Sequence, residues 1–535
     1  MAGRLVPLGG LGEFGANTLL VEDERGEGIV VDAGAAFSDM EVFGVAFEVP
    51  DLATLPGPPP RAIVVTHGHD DHIKGLPLAH DAFPEATVVA TRGTLARARR
   101  VLDDGTPRFV PLVPAETVVA GGFRVEGLPV SHSMPGTAAL RLRGEAGTLV
   151  LATDLRLEPS GLGEVTPVDE LARWGGEGVD VLLLDATNAL VKSPHATESD
   201  VAEAIAGLVA ATRGAVFGVT FASHMGRFRQ LALAAAAAGR VVVPVGRGVL
   251  EALDVQAELG GLGLPAGLVR APRDLARLDR DRVVVVLTGA QGEPGSAFAR
   301  LAGDELPGIA IHPGDLVLHA ARVIPGYERR LAHLFDHCVR RGARVVTATE
   351  APIHVSGHAP CSELVRLVEL LRPRVVLPVH GQRRHLEAVA DLARAAGADT
   401  LVVENGQEVA WDGPSLRATG VQRPVGRVLL DDVDADVLDP VLLRHRRTLA
   451  RDGLVLATVP AGASGVGAPA VQAFGFALAG GVRERLEAGL AAELARAGAG
   501  RDSEMLRSTM SRWLKSELRR VTRRRPVVAA LVMEL

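Results

Sequence analysis

The chain has 535 residues, more than one ordinary hydrophobic core organises, so two or three domains are expected. Hydrophobic residues make up 47% of it and charged residues 23%, a balance that excludes an intrinsically disordered chain. The formal net charge of -7 excludes a simple basic nucleic-acid binder, so any surface that binds phosphate must be local.

Compartment signals favour a cytoplasmic protein with no membrane segment. No apolar run approaches the roughly 20 residues that a transmembrane helix needs. The first residues, MAGRLVPLGGLGEFGAN, lack the charged start and long apolar stretch of a signal peptide. The two cysteines, Cys338 and Cys361, provide no disulfide framework and suit a reducing compartment.

The first part of the chain, to about residue 190, consists of short apolar runs separated by turn signals, which predicts strands. These runs include Gly28–Val31, Ala62–Val65, Thr148–Ala152 and Val179–Leu184. From about 195 to 350 the pattern changes to alternating helices and buried apolar strands, which is typical of a parallel α/β sheet. The predicted helices are Ser199–Ala211 and Arg227–Ala238, and the predicted strands are Ala215–Val219, Val241–Val245, Arg282–Leu287 and Arg344–Thr347.

After residue 350 the sequence predicts the helix Ser362–Leu371, the strand Arg374–Pro378 and a helix from Arg383 to Ala396. The Pro- and Gly-punctuated stretch Gly413–Gly426 is interpreted as a linker or a hairpin. The C-terminal part is interpreted as a small α+β unit that ends in the apolar strand Pro526–Leu535.

The strongest motif is the run from Thr66 to His72, THGHDDH, which directly follows the apolar strand Arg61–Val65. A strand end brings several of these side chains into one loop, where they can converge. Imidazole nitrogen and carboxylate oxygen form the donor mixture that zinc or manganese accepts. A solvated polar loop is the alternative interpretation, but so many ligand types within a few residues are rare by chance.

Further candidate ligands also follow apolar strands. His132 follows 123–130, Asp154 follows 148–153, and His380 follows 375–379. Singly, each could be an ordinary hydrogen-bonded polar residue. Together with Asp32, which follows the strand 29–31, and in this order around the histidine-rich loop, they match the five motifs of the metallo-β-lactamase superfamily.

This resemblance implies a centre that holds two divalent metal ions. Zinc is the favoured ion, with manganese or magnesium as alternatives. One ion would be held by His67, His69 and His132, the other by Asp71, His72 and His380, with Asp154 bridging them and Asp32 mainly structural. Two such ions can activate water near neutral pH and neutralise a phosphate under in-line attack, which is the centre of a hydrolase.

The long segment between Asp154 and His380 resembles the domain inserted in the β-CASP nuclease branch of that superfamily. Three further polar motifs of the branch match Asp185, His358 and His380. The resemblance implies that His358 protonates the departing 3′ oxygen, with Asp185 as its carboxylate partner. The alternative is that His358 only binds a non-bridging phosphate oxygen.

Three loops of the inserted domain, 220–224, 246–248 and 289–294, each follow a predicted strand and precede a helix. Backbone N–H groups at such positions suit phosphate, although ordinary turns there are also rich in glycine. The candidate substrate-binding residues are Phe221, Ser223, His224, Arg247, Gln291 and Glu293, with His354, Val355, Ser356 and Gly357 from the turn before His358. With one tyrosine and three tryptophans, the chain offers few platforms for base stacking, so recognition of the RNA backbone should dominate.

From end to end, the chain resembles the ribonuclease J family. The marks of the resemblance are 9–15, the Phe-Ala-Ser loop, the segment 289–294, the motif 354–358 and the terminal segments 523–526 and 532–534. His224, where Asn is expected, and the segment His319–Arg322, where small hydroxyl residues are expected, depart from the pattern. The implied fold is an α/β metallo-β-lactamase αββα sandwich with an inserted parallel α/β β-CASP domain and a small α+β C-terminal domain. The expected boundaries are 1–192 and 351–425 for the sandwich, 193–350 for the insertion, 426–445 for a linker and 446–535 for the C-terminal domain.

The function that the resemblance implies is a zinc-dependent phosphodiesterase, a ribonuclease acting in RNA maturation and decay. Single-stranded RNA would be degraded from 5′ to 3′, with a preference for a 5′-monophosphate and some endonuclease activity. A homodimer or homotetramer and partners in an RNA-decay complex are also expected. Two alternatives stay open: the same metal centre acting on DNA or a small ester, and a scaffold without catalysis, against which the intact ligand set argues.

Overall fold

The computed structural model describes residues 2–55, 57–102, 107–191, 196–413, 415–431, 436–462, 465–497 and 502–534. The chain forms two units, one made of Met1–Ala36 with Val49–Arg427 and the other of Phe37–Glu48 with Val428–Leu535. None of the described helices is long and apolar enough to cross a membrane. The predicted boundary at 192/193, residues 432–435 of the predicted linker and the last residue of the predicted C-terminal strand lie outside the described residues.

Two packed β-sheets form the centre of the first unit. One has eight strands, in the order Ser415–Gln422, Gln407–Asp412, Gly3–Gly9, Thr18–Glu22, Gly28–Val31, Ala62–Val65, Thr87–Ala90 and Phe109–Pro111. The other has seven, in the order Asp399–Thr400, Val375–Val379, Val181–Asp185, Gly147–Ala152, Ala138–Gly144, Phe123–Pro129 and Thr117–Ala120. Because side chains alternate along a strand, Ile29 and Val31 face the core between the sheets, whereas Val30 faces helices on the outer side.

Helices cover the outer faces of both sheets. Those of the sandwich are Asp70–Ile73, Leu76–Ala82, Arg92–Val101, Val168–Glu177, Cys361–Leu371 and Arg383–Ala395, with a short 3₁₀ turn at Leu52–Thr54. The 3₁₀ turn Glu41–Phe43 belongs to the second unit. This arrangement confirms the predicted αββα sandwich. In each sheet the central strands that carry the candidate ligands run parallel, so their carboxyl ends gather at one edge.

The inserted domain is a five-stranded parallel sheet between two layers of helices. Its strand order is Val241–Val245, Val283–Leu287, Val216–Val219, Leu316–His319 and Arg344–Thr347. Its helices are Glu198–Ala211, Met225–Ala237, Arg247–Glu258, Ala297–Gly303 and Glu328–Arg340, with 3₁₀ turns at Pro272–Arg277 and Arg280–Arg282. Apolar clusters cover both faces of the sheet, which confirms the predicted parallel α/β insertion. The strand Leu316–His319 was not predicted, because its apolar run has only three residues before a histidine.

The second unit contains a four-stranded sheet packed against two long helices. Strand Leu454–Gly462 pairs with Gly465–Val466 and Ala470–Phe474 in antiparallel fashion and with Val527–Glu534 in parallel. The helices Val482–Arg496 and Ser503–Thr522 present leucines to this sheet. The small α+β domain predicted from the sequence is thus confirmed.

Two expectations about boundaries differ from the structure. The predicted linker 426–445 contains the strand Arg427–Asp431 and the first turns of the helix Pro440–Asp452. Strands Ala36–Phe37 and Val45–Pro50 extend from the N-terminal region and join the sheet of Arg427–Asp431. Val45 is buried against Leu438 and Leu443 there, a long-range contact that no local sequence pattern reveals.

Candidate metal centre

One group of donor atoms comes from the histidine-rich loop and from the end of a strand of the opposite sheet. His67 Nε2 lies 3.0 Å from His69 Nδ1, and His132 Nε2 lies 3.2 Å from the same nitrogen. Nitrogen ligands about 2 Å from one tetrahedral ion lie about 3.3 Å apart. These three imidazoles therefore have the spacing of ligands that share one ion.

A second group of donor atoms lies beside the first. His380 Nε2 is 3.2 Å from both His72 Nε2 and Asp71 Oδ2. Asp154 lies between the two groups, with Oδ2 3.3 Å from His72 Nε2 and Oδ1 3.8 Å from His67 Nε2. The structure thus brings all seven predicted ligands together and places the Asp154 carboxylate where it can serve both groups.

The charges of these side chains suit divalent cations. Burial lowers the pKa of His67, His69 and His132, to about 3 for His132, so these imidazoles are neutral and can act as ligands. Burial alone would raise the pKa of Asp154, but the nearby His380 and His72 hold it well below its usual range. Asp154 Oδ2 is buried and, among the described residues, faces the ring nitrogen of His72 at 3.3 Å without a well-formed hydrogen bond. Burial would lower the pKa of His72 and His380, but the nearby carboxylates, Asp154 foremost, raise it, to about 9 for His380. A bound cation would take the place of the protons that these two imidazoles carry beside the buried carboxylate.

Backbone conformation aims three of the side chains at the centre. Asp32, Asp154 and His380 follow strands and have φ values of 60°, 53° and 61°, in the left-handed region that residues other than glycine rarely adopt. Asp32 also orients a ligand, because its Oδ2 lies 2.8 Å from His72 Nδ1. The Thr66 backbone N–H donates to Asp32 Oδ1 at 2.7 Å, which fixes that carboxylate.

Sequence reasoning missed two residues that hold ligands in place. Asn17 Nδ2 lies 3.3 Å from Asp71 Oδ2 and donates to the Asp71 carbonyl oxygen at 3.1 Å. Thr187 Oγ1 lies 2.7 Å from His380 Nδ1, so His380 presents its Nε2 to the centre. Both residues could have been suspected from their position beside a motif of the sequence. Asn17 follows the glycine-rich segment, and Thr187 lies two residues after Asp185.

The predicted catalytic pair lies at the edge of the centre. His358 Nδ1 is 2.7 Å from Asp185 Oδ2 and 3.7 Å from Asp154 Oδ1. Burial would raise the pKa of Asp185, but the charge and hydrogen bond of His358 lower it, so Asp185 is ionised. The His358 side chain is 19% exposed, which leaves its ring accessible from the centre's open side.

The turn 354–357 connects this pair to the first donor group. The Gly357 carbonyl oxygen lies 2.9 Å from His132 Nδ1. Ser356 Oγ accepts from the His358 backbone N–H at 3.3 Å, and the Ser356 carbonyl accepts from Arg156 Nη1 at 3.0 Å. Val355 is buried in the core of the inserted domain, which anchors the turn.

His224 of the inserted domain faces His354, the first residue of the turn. The rings of His224 and His354 have centroids 6.1 Å apart. His224 Nδ1 accepts from the Arg227 backbone N–H, whereas His224 Nε2 and His354 Nδ1 are buried without a partner among the described residues. Burial, followed by the charge of Arg227, lowers the pKa of both, to about 3 for His354. Ser223 is half-buried beside His224.

Other predicted substrate-binding residues have contacts elsewhere in the inserted domain. Gln291 is buried, donates from Nε2 to the Arg322 carbonyl and accepts from the Ile324 backbone N–H, each at 2.8 Å. Glu293 accepts from the Gln291 backbone N–H. The remaining two are Phe221, which packs against an apolar cluster of the parallel sheet, and Arg247, whose side chain is 93% exposed near Glu251. In the described part of the chain, none of these four contacts a candidate ligand.

A sandwich of two sheets with two adjacent donor groups at its edge, interrupted by a parallel α/β domain, defines a metallo-β-lactamase-fold protein with a β-CASP domain. Family models agree with that class. They match the metallo-beta-lactamase superfamily over residues 11–197, the ribonuclease J beta-CASP domain over 213–338, the Zn-dependent metallo-hydrolase RNA specificity domain over 342–403 and the ribonuclease J C-terminal domain over 441–535.

Curated relatives share this organisation over nearly the whole chain. Ribonuclease J of Mycolicibacterium smegmatis is 33% identical over 553 aligned positions, covering 99% of this chain and 97% of that one. Ribonuclease J of Mycobacterium tuberculosis is 32% identical with the same coverage, and that of Sinorhizobium meliloti is 34% identical over 85% of this chain and 82% of its own. The chain belongs to the ribonuclease J family. A solved protein of unknown function from Enterococcus faecalis shares the fold, with a TM-score of 0.54 at 14% identity over 77% of this chain and all of that one.

Proposed function

We propose that this chain is a metal-dependent ribonuclease that degrades single-stranded RNA from 5′ to 3′, prefers a 5′-monophosphate and also cleaves internally. The observation that carries the proposal is the convergence of seven ligand-type side chains around Asp154, with the His358–Asp185 pair beside them. Names of the family's members point to RNA as the substrate.

The residues present fit two divalent cations: His67, His69 and His132 would hold one, and Asp71, His72 and His380 would hold the other, with the Asp154 carboxylate within reach of both groups. Imidazoles outnumber carboxylates in this donor set, which favours zinc over magnesium. When bound, the two ions activate water and offset the negative charge that develops on the phosphate.

His358 protonates the leaving 3′ oxygen. Its Nδ1 faces Asp185 Oδ2 at 2.7 Å, which leaves Nε2 as the atom that can donate a proton. The ionised Asp185 holds the ring in place and stabilises its protonated form. The adjacent Thr187 backbone N–H donates to Asp185 Oδ1 at 2.8 Å, so the carboxylate is itself fixed.

The 5′-terminal phosphate binds between the turn 354–357 and the loop that carries Ser223 and His224. His224 Nε2 and His354 Nδ1 are buried and make no hydrogen bond in the described part of the chain, with Glu198 Oε1 4.0 Å from His224 Nε2. Ser356 and Ser223 add hydroxyls. Hydrogen bonds to a dianionic phosphate are short and strong, so this pocket would fix the end of the strand relative to the centre. A triphosphate is too long and too charged for it.

The test is a time course with the purified chain on end-labelled RNAs that differ only in carrying a 5′-monophosphate or a 5′-triphosphate, alongside single-stranded DNA and metal analysis. We expect the monophosphate RNA to be degraded fastest and DNA to be spared. Replacing Ser356 with a bulkier residue should erase the preference while leaving internal cleavage largely intact. Equal rates on the two RNAs would contradict the proposed pocket for the 5′-terminal phosphate. Cleavage of DNA faster than of RNA would contradict RNA as the substrate.

The remaining expectations belong to the same proposal. We infer a cytoplasmic protein that assembles as a homodimer or homotetramer and works with RNA-decay partners. Light scattering of the purified chain measures the assembly, and co-purification from a reducing lysate, with and without ribonuclease treatment, tests for the partners.

A further inference from the structure

Phe14 occupies an unusual position for an aromatic residue of this chain. Among the described phenylalanines and tryptophans of the first unit, it alone is exposed, with 40% of its surface accessible. A single exposed apolar side chain needs no explanation on its own. Phe14, however, lies in a segment bonded to the loops that carry candidate ligands, so an exposed ring there could contact a molecule bound at the centre.

The segment that carries Phe14 is tied on both sides to loops bearing candidate ligands. Before it, the Gly12 backbone N–H donates to the Gly381 carbonyl at 2.9 Å, and the Gly381 N–H donates to Gly10 at 3.0 Å. After it, the Asn17 backbone N–H donates to the Asp71 carbonyl at 3.0 Å. Because Gly381 follows His380, Phe14 is held beside the group formed by Asp71, His72 and His380.

The ring of Phe14 is supported from one side. It meets His385 edge to face, with centroids 5.0 Å apart and an angle of 61° between the planes. His385 is 8% exposed and lies in the first turn of the helix Arg383–Ala395, so it gives the ring a fixed backing. Aromatic pairs of this geometry hold their orientation, which prepares a ring for contact with a further π system.

Positive charge accompanies the ring. Arg384 directly precedes His385 in the first turn of the helix Arg383–Ala395. Burial first, and then the charges of Arg384 and Arg322, lower the pKa of His385. Arg384 is exposed and has no carboxylate partner among the described residues, and Arg322 bonds to the Asn188 side-chain oxygen rather than to an acid. An exposed aromatic ring, with an arginine free of carboxylate partners beside the residue that supports it, suits single-stranded nucleic acid, since bases stack on the ring and phosphates bind the cation.

We infer that Phe14 is a stacking platform for one nucleobase of the strand held at the metal centre, with His385 supporting the ring. This inference rests on the proposed function for the identity of the strand. The platform contacts a base, whereas the pocket proposed for the 5′ end contacts only phosphate. Stacking of this kind tolerates any of the four bases.

The test measures RNA binding by fluorescence anisotropy in the presence of a chelator, so that it does not depend on cleavage. The ligands are 5′-monophosphate RNAs with a single abasic nucleotide placed in turn at each position near the 5′ end. For the unmodified chain, we expect base removal at one position to raise Kd about tenfold. In Phe14→Ala, Kd should be raised to a similar extent for intact RNA, and removal of that base should have no further effect.

Matched variants separate stacking from packing. Phe14→Leu keeps apolar contact with His385 and should behave like Phe14→Ala, whereas Phe14→Trp should retain tight binding. Phe37→Ala removes a more exposed ring, 60% accessible, with its own aromatic neighbour, Phe47, and should leave Kd unchanged. Metal content and thermal unfolding of each variant check that the centre is intact.

The platform would be overturned if Phe14→Ala bound intact RNA with an unchanged Kd. It would also be overturned if removing the same base still raised Kd in that variant. Absence of RNA cleavage by the unmodified chain would contradict the proposed function alone. In that case, binding that depends on both the ring and one base would still support the platform.

Discussion

Replacing Gly357 with alanine should weaken metal binding without altering the fold. Gly357 is not in the left-handed region, so its backbone can carry a side chain. A Cβ at this position would lie 2.8 Å from both Cε1 and Nδ1 of His132 and 3.2 Å from the Ser133 backbone nitrogen. The substitution therefore acts on the ring of a candidate ligand rather than on the turn's own conformation.

The size of the effect follows from these distances. Carbon atoms in ordinary contact are about 3.6 Å apart, so the His132 ring must withdraw by about 0.8 Å. Ligand distances in metal sites vary by only about 0.2 Å, so His132 could not remain in place. Its hydrogen bond to the Gly357 carbonyl, 2.9 Å long, would be disturbed as well. Loss of such an outer contact lowers metal affinity about 10- to 100-fold.

The assay is a titration of the metal-free Gly357→Ala protein with buffered zinc, followed by RNA hydrolysis as a function of free zinc. We expect weaker zinc binding and activity that recovers at high zinc. Gly207→Ala is the control, because a Cβ there meets nothing within 4 Å and lies on a helix far along the chain from the ligands. Zinc affinity equal to that of the unmodified chain would refute the argument that this glycine makes room for His132.

Further predictions concern the centre and the core. His69→Ala should nearly abolish hydrolysis while the protein stays folded, as checked by turnover and circular dichroism, because it removes a ligand of one proposed ion. His358→Ala should lower turnover about 100-fold or more with metal content unchanged, and Asp185→Asn should resemble it more mildly; lost metal in the first variant would make His358 a ligand instead. Arg141→Ala should lower the free energy of unfolding by about 2 kcal/mol in urea titrations, because the buried Arg141 bonds to Glu126 and Glu177 and packs over Trp174, and its loss leaves Glu126 paired with Arg143 alone.

The sequence predicted the site best at positions where a metal-ligand type of residue follows a strand. Asp154 and His380 each follow an apolar run that is a mainly or fully buried strand, whereas His132 follows a strand that alternates between buried and exposed residues. A fully buried strand leaves little freedom for the residue after it, so local order predicts the approximate location of that side chain. Convergence of the three could be expected only through the resemblance to a family, because it depends on the pairing of distant strands.

Contacts that depend on tertiary packing could not be predicted from the sequence. Gln291 was predicted to bind substrate from its place in a glycine-rich loop, yet its amide holds the backbone at Arg322 and Ile324. Asn17, which was not predicted, meets Asp71 across a separation of 54 residues. An amide side chain suits either role, and only the neighbours brought by the fold decide which one it takes.

The left-handed conformations of Asp32, Asp154 and His380 bear on how the centre forms. Each costs about 1–3 kcal/mol and persists only where the surrounding structure fixes it. In all three cases the preceding strand is entirely or almost entirely buried in the sandwich, so the apolar core offsets that cost before any ion binds. Side chains aimed in this way do not need to be gathered by a metal. A cation entering the site would then meet donors already in place, and its charge would balance the buried carboxylate of Asp154.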